Sequence, residues 1–318
     1  MKKKLLFVLS LVLSFATAFS QGKSIEEVQC LPKLSQTTFV TLLSDNTVWW
    51  SANGSGWQKV PATGLPANSK IRMINVYTKP SLGNKSSRLV VLLEDNTMWW
   101  YTDGDPWEKL SSTGLPKNAV MKILQPYVKY GAMGFGDTRF VALLEDNTMW
   151  WYAVNKEWET VPSEGLPSKY VVTGFGTYQK SAMMGTDTRY VITLADNSLW
   201  WTDGKKWKAL ESSGLPAGAV FKKFTAYMKV GALNIEGRLI AVLSDESIWW
   251  LPSSGKNWKK LDVAGLPKDY KVKSVEIYQK HAGMLGETRL ILLMEDNTIW
   301  WWADSKGWSN LDTKELTK

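Results

Sequence analysis

A Trp-Trp doublet begins at Trp49, Trp99, Trp150, Trp200, Trp249 and Trp300, at successive separations of 50, 51, 50, 49 and 51 residues. The text around each doublet recurs with it, as in SRLVVLLEDNTMWWYTDGDPWEKLSSTGLP and TRYVITLADNSLWWTDGKKWKALESSGLP. Self-similarity at this spacing means that each copy is one supersecondary unit, able to bury its apolar faces only against its neighbours. Six such units tile residues 21–318.

Four short strands can be read in each unit. Strand a is a segment such as 122–127 or 273–278, and 25–31 in the first copy. Strand b is a five-residue apolar run such as 89–93, too short for a helix and apolar on both faces. The polar step Glu94-Asp95-Asn96-Thr97 then turns the chain, with Asn tolerating the left-handed backbone of a tight hairpin. Strand c is 98–101 and its equivalents, and strand d starts at a third tryptophan. A four-stranded antiparallel unit of about 50 residues predicts an all-β chain, a six-bladed β-propeller with four strands per blade. Gly-Leu-Pro follows the first five units, at Gly64, Gly114, Gly165, Gly214 and Gly265, while the sixth reads Glu315-Leu316-Thr317. A motif missing where no further blade follows is a connector. The chain starts on a first strand and finishes on a last one, so its two ends are expected to meet.

Residues 1–20 stand outside the repeat. Lys2, Lys3 and Lys4 precede an apolar run over 5–15 and then small residues, the pattern of a cleaved signal peptide too short to span a bilayer. The expectation is a secreted or periplasmic single domain over 21–318, with no membrane span. The formal charge is +8, but three lysines belong to the leader, leaving 35 basic against 30 acidic residues beyond it. That mild balance, without a dense Lys/Arg block, argues against nucleic acid as a partner. Cys30 is the only cysteine, so the core is held without an internal disulfide.

The chain has 19 tryptophans, all within the repeat. Adjacent strand residues point to opposite faces, so a doublet sends one indole toward each neighbouring blade. Each buried ring removes on the order of 150–250 Å² from water, worth roughly 4–6 kcal/mol before the unfolded-chain discount. The third set, Trp57, Trp107, Trp158, Trp207, Trp258 and Trp308, lies on strand d, the outer strand, where packing and partial exposure are both open.

One reaction needs one asymmetric constellation, and six equal units do not supply it. His281 is the only histidine and lies in the a-to-b connection of the last unit, where other copies have Pro80, Tyr130, Ser181 and Val230. The Glu-Asp-Asn-Thr step lacks the spaced oxygen ladder and Gly of a calcium loop, and the fifth copy replaces its Asn by Glu246. The aspartate-box pattern of six-bladed sialidases is missing too. The expectation is therefore no enzyme, no cofactor and no metal.

Copies two to six share one further pattern. Tyr77-x-Lys79, Tyr127-x-Lys129, Tyr178-x-Lys180, Tyr227-x-Lys229 and Tyr278-x-Lys280 precede strand b, which opens on Arg88, Arg139, Arg189, Arg238 and Arg289. The first copy has Thr38 at the arginine position and a shorter connection through Lys33, Leu34, Ser35 and Gln36, although its doublet, turn and Gly-Leu-Pro survive. Tyrosine and lysine two apart share one face of a strand, and arginine returns beside them on the next. Stacking, hydroxyl hydrogen bonds and a planar guanidinium fork would suit a glycan or another polar or acidic ligand, with near-equal sites acting by avidity. The alternative is structural: the arginines pair with Asp137, Asp187, Glu236 or Glu287, and tyrosine and lysine line a wet channel.

With those residues, the repeat resembles the six-bladed fucose-type lectins and the tectonin and tachylectin-like lectins across all six units. The fucose-type resemblance implies a sugar held between blades by an arginine, a nearby acid and an aromatic ring. Arg189 precedes a hairpin and a Trp-Thr-Asp-Gly segment in that manner. Apolar residues, Met98, Met149, Leu199, Ile248 and Ile299, stand where the acid is expected. A lectin-like glycan binder is the leading expectation. A protein-interaction scaffold follows, and a glycan-active hydrolase or lyase comes third.

Overall fold

The computed structural model describes residues 22–32, 37–52, 54–79, 86–102, 104–130, 136–182, 185–211, 213–230, 235–252, 257–282, 285–303 and 306–317. The signal-peptide reading of residues 1–20 and the connection 33–36 lie outside the described residues. Among those described, 24 strands form six sheets of four, each in the order a-b-c-d and antiparallel throughout. In the first blade the strands are Ile25–Pro32, Thr37–Leu43, Val48–Ala52 and Ser55–Lys59; in the fourth they are Val172–Ala182, Gly185–Leu194, Leu199–Thr202 and Lys208–Leu210. First strands of consecutive blades contact one another all the way round, the sixth meeting the first. This is a six-bladed β-propeller, as the repeat predicts, and the chain ends do meet in the ring.

The second strand of each blade is covered on both faces, with every residue of Thr37–Leu43 buried. The core is divided into six apolar clusters, one per pair of neighbouring blades. The doublets serve two clusters each: Trp99 packs with the first blade while Trp100 packs with the third. Both indoles of a doublet are only half-buried. It is the third tryptophan that is fully inside, from 2% exposed at Trp207 to 9% at Trp308. Partial exposure of that set is thus excluded, for a local reason. Each connector glycine adopts a φ between 87° and 102°, and a Cβ on Gly64, Gly114, Gly165 or Gly214 would meet the backbone of the next blade's third tryptophan within 2.8 Å. The indole Nε1 of Trp107, Trp158, Trp207 and Trp308 donates to a carbonyl of the preceding blade at 2.8–2.9 Å.

The polar turn between strands b and c also joins blades. Asn46, Asn96, Asn147, Asn197, Asn297 and Glu246 all hold φ between 62° and 67°. Each side-chain oxygen accepts the first-strand N–H of the next blade at 2.6–3.3 Å, ending with Asn297 on Ile25, which closes the ring. The preceding aspartate accepts both the N–H and the hydroxyl of the following Thr or Ser, as Asp95 does from Thr97, and Thr97 in turn accepts from Trp99 Nε1 at 2.9 Å. Glu246 fits because its second oxygen pairs with Lys222 at 2.6 Å. These oxygens are engaged in a clasp, which is what the turn reading expects.

Candidate functional site

Strand pairing places the arginine and tyrosine of each repeat side by side. Tyr77 pairs with Arg88, Tyr127 with Arg139, Tyr178 with Arg189, Tyr227 with Arg238 and Tyr278 with Arg289. The second tryptophan of the doublet lies diagonally across from that arginine, on the same face. The guanidinium carbon sits 3.7 Å from the Trp100 ring centroid for Arg88, 5.0 Å from Trp151 for Arg139 and 5.0 Å from Trp201 for Arg189. Arg238 and Arg289 repeat this at 4.7 Å from Trp250 and 4.4 Å from Trp301. Such contacts are favourable for a flat, weakly hydrated cation and fix its plane. The arginine-tryptophan partnership escaped the sequence reading, although the register carried it: the indole sits two residues before the position opposite the arginine.

Three of the tyrosines belong to the packing. Tyr77, Tyr127 and Tyr227 are buried, Tyr77 meets Phe140 of the next blade edge-on, and the Tyr127 and Tyr190 hydroxyls lie 3.0 Å apart across a blade boundary. Burial raises the Tyr77, Tyr127 and Tyr178 hydroxyls above the usual phenol range, so they stay neutral donors. In the fourth-to-fifth cleft the Tyr178 ring lies against Gly237, where a Cβ would overlap it. The second tryptophan is half-buried beneath its arginine, and in blades four and five a lysine, Lys208 or Lys259, also lies over its ring at 5.2–5.3 Å. The side chains of Lys79, Lys180, Lys229, Tyr278, Lys280 and His281, with those of Asp103, Glu236 and Glu287, lie outside the described residues.

Between the third and fourth blades these parts open into a cleft of about 330 Å³. Lys129, Arg139 and Trp151 form one wall and Tyr190, Asp187 and Asp203 the other. Arg139 and Asp137 are 3.9 Å apart, with Asp137 largely exposed. Arg189 pairs not with Asp187 but with Asp203 at 3.1 Å. Burial works to raise the Asp203 carboxyl, but the hydrogen bond and charge of Arg189 outweigh it and hold the group below the usual carboxylate range. The apolar set Met98, Met149, Leu199, Ile248 and Ile299 is buried at the far end of strand c, in the blade core. The acid beside an arginine comes instead from the end of strand c, in the fourth blade at Asp203.

The chain is similar in fold to solved propeller structures that include a fucose-specific lectin. The Aleuria aurantia lectin, a six-bladed β-propeller with a described fucose recognition mode, superposes with a TM-score of 0.60 over 91% of this chain and 94% of its own, at 15% identity. AofleA of Arthrobotrys oligospora gives 0.63 over 91% and 86% at 11% identity. The BP39L lectin of Burkholderia pseudomallei gives 0.54 over 92% and 84% at 15% identity. No family model matches the chain, and no curated protein does. Likeness at these identities is a likeness of fold, spanning nearly the whole ring.

Proposed function

We propose that the protein is a secreted, lectin-like carbohydrate-binding propeller, with sites in the clefts that follow blades two to six. The observation that carries this reading is the arginine held over the second tryptophan in five blades, against Thr38 in the first, where the doublet and fold are unchanged. A guanidinium fixed on a ring gives in-plane donors for adjacent sugar oxygens, and the indole edge gives an apolar face for ring carbons. The fold it shares with fucose lectins supports the class of ligand. The first cleft is the built-in negative. Several weak sites on one ring would bind a branched glycan or a coated surface by avidity. The repeated geometry suits binding rather than catalysis.

Binding to a broad glycan array tests this, comparing the mature chain with a variant carrying threonine for Arg88, Arg139, Arg189, Arg238 and Arg289. Selective signal lost in the variant is expected; signal unchanged by it would overturn the reading. The second reading, a protein scaffold, draws on Val120, Val171 and Val220, which are 41–50% exposed at equivalent positions beside the b-to-c turns of blades three to five. A single stoichiometric protein partner, without glycan signal, would favour it.

A further inference from the structure

The clefts are not equivalent, and the difference is electrostatic. In the fourth blade Arg189 faces Asp203, one residue beyond the Tyr190–Thr202 pair, and the two form a close ion pair. In the third blade the residue opposite Arg139 is Ala153. A buried guanidinium nitrogen without a hydrogen bond is common to these arginines, at Arg88 Nε as at Arg139 Nε, so what sets the third blade apart from the fourth is the lack of a close carboxylate among the described residues. The neighbour of Arg139, Asp137, stands at 3.9 Å with a side chain 76% exposed, too distant and too solvated to neutralise it. Lys129 and Lys205 line the same cleft, and of its two acids Asp203 is held by Arg189 while Asp187 is exposed at the rim. A guanidinium whose nearest carboxylate stands at 3.9 Å in solvent is only weakly compensated, and an anion in the cleft would offset its desolvation.

We propose that the cleft between blades three and four takes a sugar bearing an anionic substituent, a carboxylate or a sulfate, while the cleft after blade four takes a neutral one. This rests on the lectin reading and narrows it. The cleft volume, about 330 Å³, lies at the small end of the range of small-ligand sites, roughly 300–1,000 Å³. The anionic group lies against the Arg139 fork and the two lysines, and the sugar ring lies against the edge of Trp151 that the arginine leaves uncovered.

Calorimetric titration of the full mature chain with methyl glucuronide, galactose 6-sulfate and methyl fucoside, in low and moderate salt, provides the test. The proposal expects one anionic sugar to bind in a salt-dependent manner, and the arm that responds identifies carboxylate or sulfate. Ala153→Asp copies the fourth blade and is expected to weaken that binding by roughly tenfold or more while sparing the neutral sugar. Arg139→Thr, which copies the first blade, provides the same readout should the aspartate impair folding. Anionic binding untouched by both variants, or only neutral sugars bound, overturns this proposal and leaves the lectin reading standing. Silence from every sugar overturns both.

Discussion

The cleft between blades one and two and the cleft between blades three and four are built from the same parts. Each has half-buried doublet indoles, a buried third tryptophan from the following blade, and an asparagine clasp, Asn46 on Ile71 in one and Asn147 on Val172 in the other. They differ most plainly at the arginine position, where the first copy also lacks the Tyr-x-Lys pair. Thr38 is buried, with its hydroxyl lacking a hydrogen-bond partner, where Arg139 spreads over Trp151. The frame therefore needs the indoles and the clasp but not the arginine. A side chain that packs no better than threonine for folding, and that carries a buried charge, is a candidate for binding.

If that division is right, damage to the frame costs stability equally in both places. Trp107→Ala in the first cleft and Trp207→Ala in the third remove rings that are 4% and 2% exposed, and each should cost about 3–5 kcal/mol by denaturant unfolding. A large inequality would show that the clefts do not share one frame. Removing a clasp, Asn46→Ala or Asn147→Ala, orphans a first-strand N–H and should cost about 1–3 kcal/mol in either cleft. By contrast, Arg139→Thr should change stability by less than about 1 kcal/mol, since the first blade folds with threonine at that position. A loss as large as that of the tryptophans would assign the arginine to the frame.

A separate effect, confined to alkaline pH, lies on the axis. Glu27 and Glu276, on the first strands of blades one and six, both hydrogen-bond to Gln29 Nε2, at 3.2 and 3.1 Å. Burial raises Glu27 to about 7, and burial with the charge of Glu27 raises Glu276 to about 8, from an ordinary 4.5. The native state then keeps protons that the unfolded chain has released. Stability from these groups is complete below about pH 4.5 and falls as the pH rises through 7 to 8. Glu276→Gln should flatten that decline, raising Tm by a few degrees at pH 9 and leaving it nearly unchanged at pH 4. A variant with the opposite trend would mean that the pair is stabilised as anions.

Much of this was legible in the sequence because the repeat carries it. The doublet spacing and the missing final Gly-Leu-Pro gave blade number and ring closure, and the loss of arginine in one copy separated frame from candidate site. What stayed hidden depended on partners across blade boundaries. The third tryptophans read as ambiguous because nothing local places a connector glycine of the preceding blade against their backbone. The tyrosines read as open platforms because Phe140 and Tyr190, which cover Tyr77 and Tyr127, come from the next copy. Asp203 went unread as the partner of Arg189, since strand c had to be paired in register before it faced the arginine.

The most direct measurement is a crystal structure of the mature chain soaked with the best sugar from the glycan array. The account predicts sugar density at blade boundaries, against an arginine and the second tryptophan of its doublet, and none in the cleft where Thr38 replaces the arginine. Sugar bound equally at Thr38, or on the face bearing Val120, Val171 and Val220, would contradict it.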